Sequence, residues 1–155
     1  MKLNVAVIGA GYWGPNLIRN FNKSNNFNLL WICDKNQKVL EKYKNSYNTS
    51  DMLDDVLNDD QIHVVAIATP ILTHYNIAKQ CLLKGKHVFV EKPLTNNYHQ
   101  ACELVKIAKD NNLILMCDHT YLYNPAVHKI KEIIETGDVG NFLYMDSIRT
   151  NLGSF

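Results

Sequence analysis

The stretch Leu3-Asn-Val-Ala-Val-Ile-Gly-Ala-Gly-Tyr-Trp-Gly14 decides the fold, and Asp34 follows its last glycine by twenty positions. An apolar run ends in Gly9-x-Gly11-x-x-Gly14, and a second, Phe27 to Cys33, ends in Asp34. A glycine fingerprint alone is weak. One with a strand before it, a helix after it and an acid at this distance is the pattern of a dinucleotide site. Gly9 permits a tight turn, Gly11 lets the backbone approach a pyrophosphate, and Gly14 lets the helix pack closely on the strand. The helix N-terminus offers unpaired N–H groups and a partial positive charge to phosphates. Asp34 is suited to accept hydrogen bonds from both hydroxyls of an adenosine ribose and to repel a 2′-phosphate, so NAD is expected over NADP. Lys35, next to that acid, is the residue that would tolerate the phosphate. The plainer alternative makes the glycines turn residues and Asp34 a cap for the next segment. Pro15 falls in the first turn of the helix, where a missing N–H costs little.

The rest of the composition bounds the answer. The chain has 155 residues, 46% apolar and 20% charged, with a net charge of +1. That is the size and make-up of one globular domain. The charge gives no reason to expect nucleic acid or an anionic membrane as partner, and no apolar run reaches membrane-spanning length. The N-terminus enters a strand directly, without a signal peptide. Cys33, Cys81, Cys102 and Cys117 sit in apolar segments with no C-x-x-C pair, and read as buried, reduced thiols of a cytoplasmic protein. The six histidines have no ligand-like spacing, so no metal site is expected.

Strand-like and helix-like stretches alternate. Strands are expected at 3–8, 28–33, 62–68, 87–90 and 113–117, with a last one at 142–148. Helices are expected at 14–22, 36–45, after a Ser50-Asp51 cap, and at 73–84, 97–110 and 125–135. Leu17, Ile18 and Phe21 mark one inner helix face, and Ala101, Leu104, Val105 and Ala108 another. This alternation implies an α/β fold, a doubly wound, mostly parallel Rossmann sheet with helices on both faces. The division expected is a nucleotide-binding domain over 1–140 and, over 141–155, the start of a truncated substrate domain. The strand at 142–148 leads only to Asn151-Leu-Gly-Ser-Phe155, and its unpaired edge suggests self-association.

In such sheets ligands lie beyond the carboxyl ends of the strands. After 62–68 come Thr69, Pro70 and, near the start of the next helix, His74, which otherwise faces solvent. After 87–90 comes Glu91-Lys92-Pro93. A lysine there stands where it can polarise a carbonyl or hold a hydroxyl during hydride transfer; the bland alternative is a solvated loop lysine. After 113–117 comes Asp118-His119-Thr120-Tyr121-Leu122-Tyr123-Asn124-Pro125. His119, Tyr123 and Asn124 are candidate substrate contacts there, with Asn124 and Pro125 also reading as helix cap and first helical position.

Taken together, Val7-Ile-Gly-Ala-Gly-Tyr-Trp-Gly14, Ala68-Thr-Pro70 with Thr73-His74, Glu91-Lys-Pro93, and His119 to Pro125 resemble the Gfo/Idh/MocA oxidoreductases. Gly-Tyr-Trp-Gly-Pro-Asn-Leu with Tyr-Asn-Pro-Ala-Val is similar to the branch of UDP-N-acetylglucosamine and UDP-N-acetylglucosaminuronate 3-dehydrogenases, which serve polysaccharide biosynthesis. The resemblance implies hydride transfer between a sugar or UDP-sugar hydroxyl carbon and nicotinamide, in a homo-oligomeric enzyme. It implies Lys92 as the catalytic lysine touching substrate and nicotinamide, with a cis Lys92–Pro93 bond. It also implies a cofactor set of Gly9, Gly11, Tyr12, Trp13, Gly14, Asp34, Thr69, Pro70, His74, Glu91 and Lys92. The family's C-terminal α/β domain, with its Asp-x-x-x-His pair and most of the sugar pocket, is absent from this sequence. The chain alone is therefore expected to bind NADH without turning over sugar. The alternative is a non-catalytic NAD-binding module, or a subunit completed by a partner chain.

Overall fold

A computed structural model of the chain describes residues 2–148 and 150. The fold comprises two compact units, residues 1–119 and 120–155. The first is built on a six-stranded sheet in the order β3-β2-β1-β4-β5-β6: β1 Leu3–Ile8, β2 Phe27–Cys33, β3 Asn48–Ser50, β4 Val64–Ile67, β5 His87–Val90 and β6 Leu115–Cys117. Every neighbouring pair is parallel. This is the doubly wound Rossmann arrangement, with its topological switch between β1 and β4.

The strands read as unbroken apolar runs because both sheet faces are covered. Along β1 the side chains alternate. Val5 and Val7 pack with Leu17 and Ile18 of α1 (Gly14–Lys23) and Leu40 of α2 (Gln37–Leu40). Ala6 and Ile8 pack on the other face with Val56 of α3 (Leu53–Leu57), Leu82 of α4 (Ile71–Leu83) and Leu104 of α5 (Tyr98–Asp110). Each such fully buried aliphatic side chain contributes about 2 kcal/mol. Phe21 meets Phe27 and Phe89 edge-on, at centroid distances of 5.1 and 6.4 Å. The Asn97 side chain caps α5 by accepting from the His99 and Gln100 N–H groups. No described helix is long and apolar enough to cross a membrane.

Several expectations are corrected. The polar segment 36–45 forms only the four-residue α2, followed by turns. Ser50 ends β3, a strand not anticipated. Its hydroxyl still holds the entry to α3, accepting from the Met52 N–H at 2.9 Å and bonding Asp55. α4 begins at Ile71, two residues earlier than the period suggested, because Pro70 stands as its N-cap. On α5, Leu104 and Ala108 are buried but Val105 is exposed. Cys33 and Cys81 are buried, whereas Cys102 is exposed and Cys117 half-buried; Cys102 lies away from the Leu104–Ala108 stripe that α5 turns to the sheet.

The second unit contains a 3-10 turn, Thr120–Tyr123, and α6, Pro125–Thr136. Asn124 caps α6 by accepting from the Ala126 N–H at 2.9 Å, and Gly137 ends it at φ +77°. The strand expected at 142–148 is not formed. A strand exists by pairing, and residues 142–148 pair with no described strand. The self-association predicted for it loses its basis. Asn151–Phe155 lie outside the described residues.

Candidate cofactor site

The carboxyl ends of the parallel strands converge on one cleft of about 630 Å³. The turn after β1 supplies its floor. Gly9 adopts φ +90°, and a Cβ there would lie 2.7 Å from the Ala68 carbonyl oxygen. Gly14 opens α1, and its Cβ would lie 2.1 Å from the Gly9 carbonyl oxygen, so helix and turn touch backbone to backbone. At Gly11 a Cβ would meet nothing within 4 Å. That open space faces a turn whose Gly11, Tyr12 and Trp13 N–H groups donate to no described residue. Trp13 caps α1 without a side-chain bond, and Pro15 needs no partner for its nitrogen. Free donors, a helix N-terminus and room for an anion are what a pyrophosphate requires.

Asp34, just beyond β2, is held in place before any ligand arrives. Its Oδ2 accepts from the Ala10 N–H at 2.7 Å and its Oδ1 from the Asn36 N–H at 2.8 Å. The second bond turns the chain toward α2, whose cap is not Asp34 but Asn36, accepting from the Lys38 N–H; the first ties the acid to the glycine turn. Each oxygen keeps lone-pair capacity for a further donor. Lys35 lines the cleft beside it, as does Asp51. Asp51 follows β3 in step with Asp34, because Cys33 pairs with Ser50. Asp51, Leu53 and Ile77 are wall residues that the sequence reading missed. For Asp51 and Leu53 the only signal was a three-residue polar strand, Asn48-Thr-Ser50, too short to show a period; Ile77 lies on α4, one turn after His74.

The opposite wall comes from the loops after β4 and β5. Thr69, Pro70 and His74 line it, with Glu91 and Lys92. His74 is 2% exposed, so it does not face solvent. Its Nε2 lies 2.8 Å from the Thr69 carbonyl oxygen and its Nδ1 2.9 Å from that of Pro93. The ring therefore clasps the two loops that form this wall. The Lys92–Pro93 bond is cis. Glu91 is 9% exposed; burial first, then a hydrogen bond to Asp118, pushes its carboxyl up to about 7. Cys33 also lines the cleft, and burial pushes its thiol up to about 11, so it stays protonated and offers no nucleophile.

Tyr12 and Trp13 reach the cleft, whereas Gly14 acts behind it through packing. His119 does not line it; its backbone N–H bonds the Cys117 carbonyl at 2.8 Å. Tyr123 and Asn124 belong to the second unit, in the 3-10 turn and the α6 cap. Among the described residues no cluster of three or more His, Cys, Asp or Glu is placed to hold a metal ion.

Comparison with known proteins agrees with this geometry. Residues 3–119 match the Gfo/Idh/MocA family, described as an oxidoreductase family with an NAD-binding Rossmann fold. An oxidoreductase of Streptococcus pneumoniae, itself uncharacterized, is 32% identical over 145 residues, covering 92% of this chain and 39% of that protein. Myo-inositol 2-dehydrogenase from Lactobacillus plantarum superposes with a TM-score of 0.85 at 27% identity, over 93% of this chain and 44% of that one. GenD2 of gentamicin A biosynthesis, solved with NAD, superposes at 0.84 with 28% identity, over 88% and 40%. The chain thus spans about two fifths of the length of such relatives. Over that span it belongs to the Gfo/Idh/MocA oxidoreductase family and carries its NAD(P)-binding Rossmann domain.

Proposed function

We propose that this chain is the cofactor-binding half of an NAD-dependent dehydrogenase that moves hydride between a sugar hydroxyl carbon and nicotinamide. The observation behind the reading is the single cleft that holds the Gly11 gap, the preset Asp34 carboxylate and Lys92 at the ends of β1, β2 and β5. The three features suit pyrophosphate, ribose and reacting centre in turn. The free N–H groups of the glycine turn hold the pyrophosphate, and Asp34 holds the adenosine ribose. A bound nicotinamide supplies the hydride acceptor or donor. Lys92 is the catalytic residue: its ammonium holds the substrate oxygen and stabilises negative charge developing on it. A polyhydroxylated substrate is supported by the myo-inositol 2-dehydrogenase neighbour. The UDP-N-acetylhexosamine branch is supported by Gly11-Tyr-Trp-Gly-Pro-Asn-Leu17 and Tyr123-Asn-Pro-Ala-Val127.

The cofactor choice rests on one charge. The Asp34 carboxylate accepts ribose hydroxyls and repels a 2′-phosphate, so NADH is expected to bind roughly tenfold or more tightly than NADPH, about 1.4 kcal/mol. Asp34→Asn keeps the side-chain oxygen and removes the charge, and should narrow that gap. Nicotinamide fluorescence titrations of both cofactors against both proteins decide it. Equal or tighter NADPH binding by the wild type sinks the NAD preference.

A further inference from the structure

The acids near the carboxyl ends of β2 and β3 are unequally employed. Asp34 holds the Ala10 and Asn36 N–H groups, and Asp55 receives the Ser50 hydroxyl. Asp51 is half-buried and lines the cleft, yet its carboxylate makes no hydrogen bond or ion pair with any described residue. Lys35 lines the same cleft and forms no ion pair with it. The whole acceptor capacity of Asp51 is therefore left for water or for a ligand.

Register fixes where that carboxylate stands. Cys33 pairs with Ser50, and the Asp34 N–H donates to the Ser50 carbonyl at 3.1 Å. Asp34 and Asp51 thus follow neighbouring strands in step, with backbones about 4.8 Å apart by strand spacing. The bond from the Ala10 N–H draws the Asp34 side chain toward β1. Asp51 stands one strand farther out, beyond β3 at the edge of the sheet. Outward from β1 the cleft therefore offers the glycine turn, then Asp34, then Asp51. A dinucleotide offers pyrophosphate, then ribose, then base.

The walls near Asp51 suit a base. Leu53 opens α3, Ile71 opens α4, and Ile77 follows on α4; all three are half-buried and line the cleft. A planar aromatic ring is held by apolar faces, and a polar group at its edge supplies the specificity. An ionised carboxylate only accepts hydrogen bonds. Adenine turns a 6-amino donor outward, whereas hypoxanthine carries a 6-oxo acceptor at the same position.

We propose that Asp51 is the residue that selects adenine: its carboxylate accepts an N–H of the 6-amino group, while Leu53, Ile71 and Ile77 border the ring. The proposal rests on the cofactor reading and extends it from the ribose to the base. The bond is charge-assisted, and so stronger than one between neutral groups. A 6-oxo group in its place sets lone pairs against a negative charge.

The test compares NADH with reduced nicotinamide hypoxanthine dinucleotide, which differs from it only in the base. Both are titrated by nicotinamide fluorescence against the whole chain, as wild type, Asp51→Asn and Asp34→Asn. The wild type is expected to bind NADH roughly tenfold or more tightly than the hypoxanthine cofactor. Asp51→Asn, whose amide serves a 6-amino or a 6-oxo group alike, should bring the two level. Asp34→Asn acts on the ribose and should leave their ratio as in the wild type. Equal binding of the two by the wild type overturns the proposal, as does a preference that survives Asp51→Asn or vanishes in Asp34→Asn. A variant that fails to fold shows in its thermal melt, and the wild-type ratio then decides alone. If neither cofactor binds the wild type, the cofactor reading falls and this proposal with it; if both bind equally, only the proposal falls.

Discussion

Gly11→Val is expected to fold with a melting temperature close to wild type and to lose NADH binding. The protein has room for the side chain: a Cβ at Gly11 meets no atom within 4 Å. Gly11 is also not among the residues at positive φ, so a side-chain-bearing residue fits its backbone. Stability should therefore change by no more than about 0.5 kcal/mol, as for other open surface positions. The open space is the one the pyrophosphate needs, lying over the free N–H groups of the turn. Filling it should weaken NADH by roughly a hundredfold or more, about 3 kcal/mol. Thermal unfolding and a fluorescence titration on the same preparation separate the two effects. A stable variant that still binds NADH like the wild type would mean that the cofactor does not cross this turn.

Gly14→Ala should do the opposite, striking the fold before any ligand is considered. Its Cβ would lie 2.1 Å from the Gly9 carbonyl oxygen and 2.9 Å from the carbon. Both are backbone atoms, and Gly9 cannot retreat, because its own Cβ position already abuts Ala68 at 2.7 Å. One methyl group thus forces α1 away from β1 and disturbs Leu17 and Ile18, which α1 buries against Val5 and Val7. A loss of about 3 kcal/mol or more is expected, the range of severe overpacking. Urea unfolding measures it; a midpoint equal to wild type would show that the turn opens without cost. The paired glycines, three positions apart, thus separate a ligand role from a packing role.

Much of this was legible because parallel strands covered on both faces announce themselves. β1, β2, β4 and β5 are short apolar runs that end in glycine, acid, Thr-Pro or Glu-Lys-Pro, so strand and site residue are read together. β3 was illegible for the reverse reason: Asn48-Thr-Ser50 has no apolar period and exists only because β2 offers an edge. With it went Asp51, which stands beside Asp34 by register alone. The segment 142–148 shows the converse error, an apolar composition read as a strand without a partner to make it one. His74 was singled out by position, but no one-dimensional pattern shows that its ring joins the carbonyls of Thr69 and Pro93. The placement of Glu91 beside Asp118 is also tertiary, since the two residues are far apart in sequence and follow neighbouring strand ends only through the β5–β6 register.

An NMR titration of the 15N-labelled chain with NADH tests whether this cleft is the nicotinamide cofactor site. Amide shifts are expected at Gly9 to Gly14, at Asp34 and Lys35, around Thr69 to Thr73, and at Glu91 and Lys92, saturating together as one site. No shift at any NADH concentration, or shifts gathered elsewhere, as on the outer face of α5 around Cys102 and Lys106, would mean that the cofactor does not bind in this cleft.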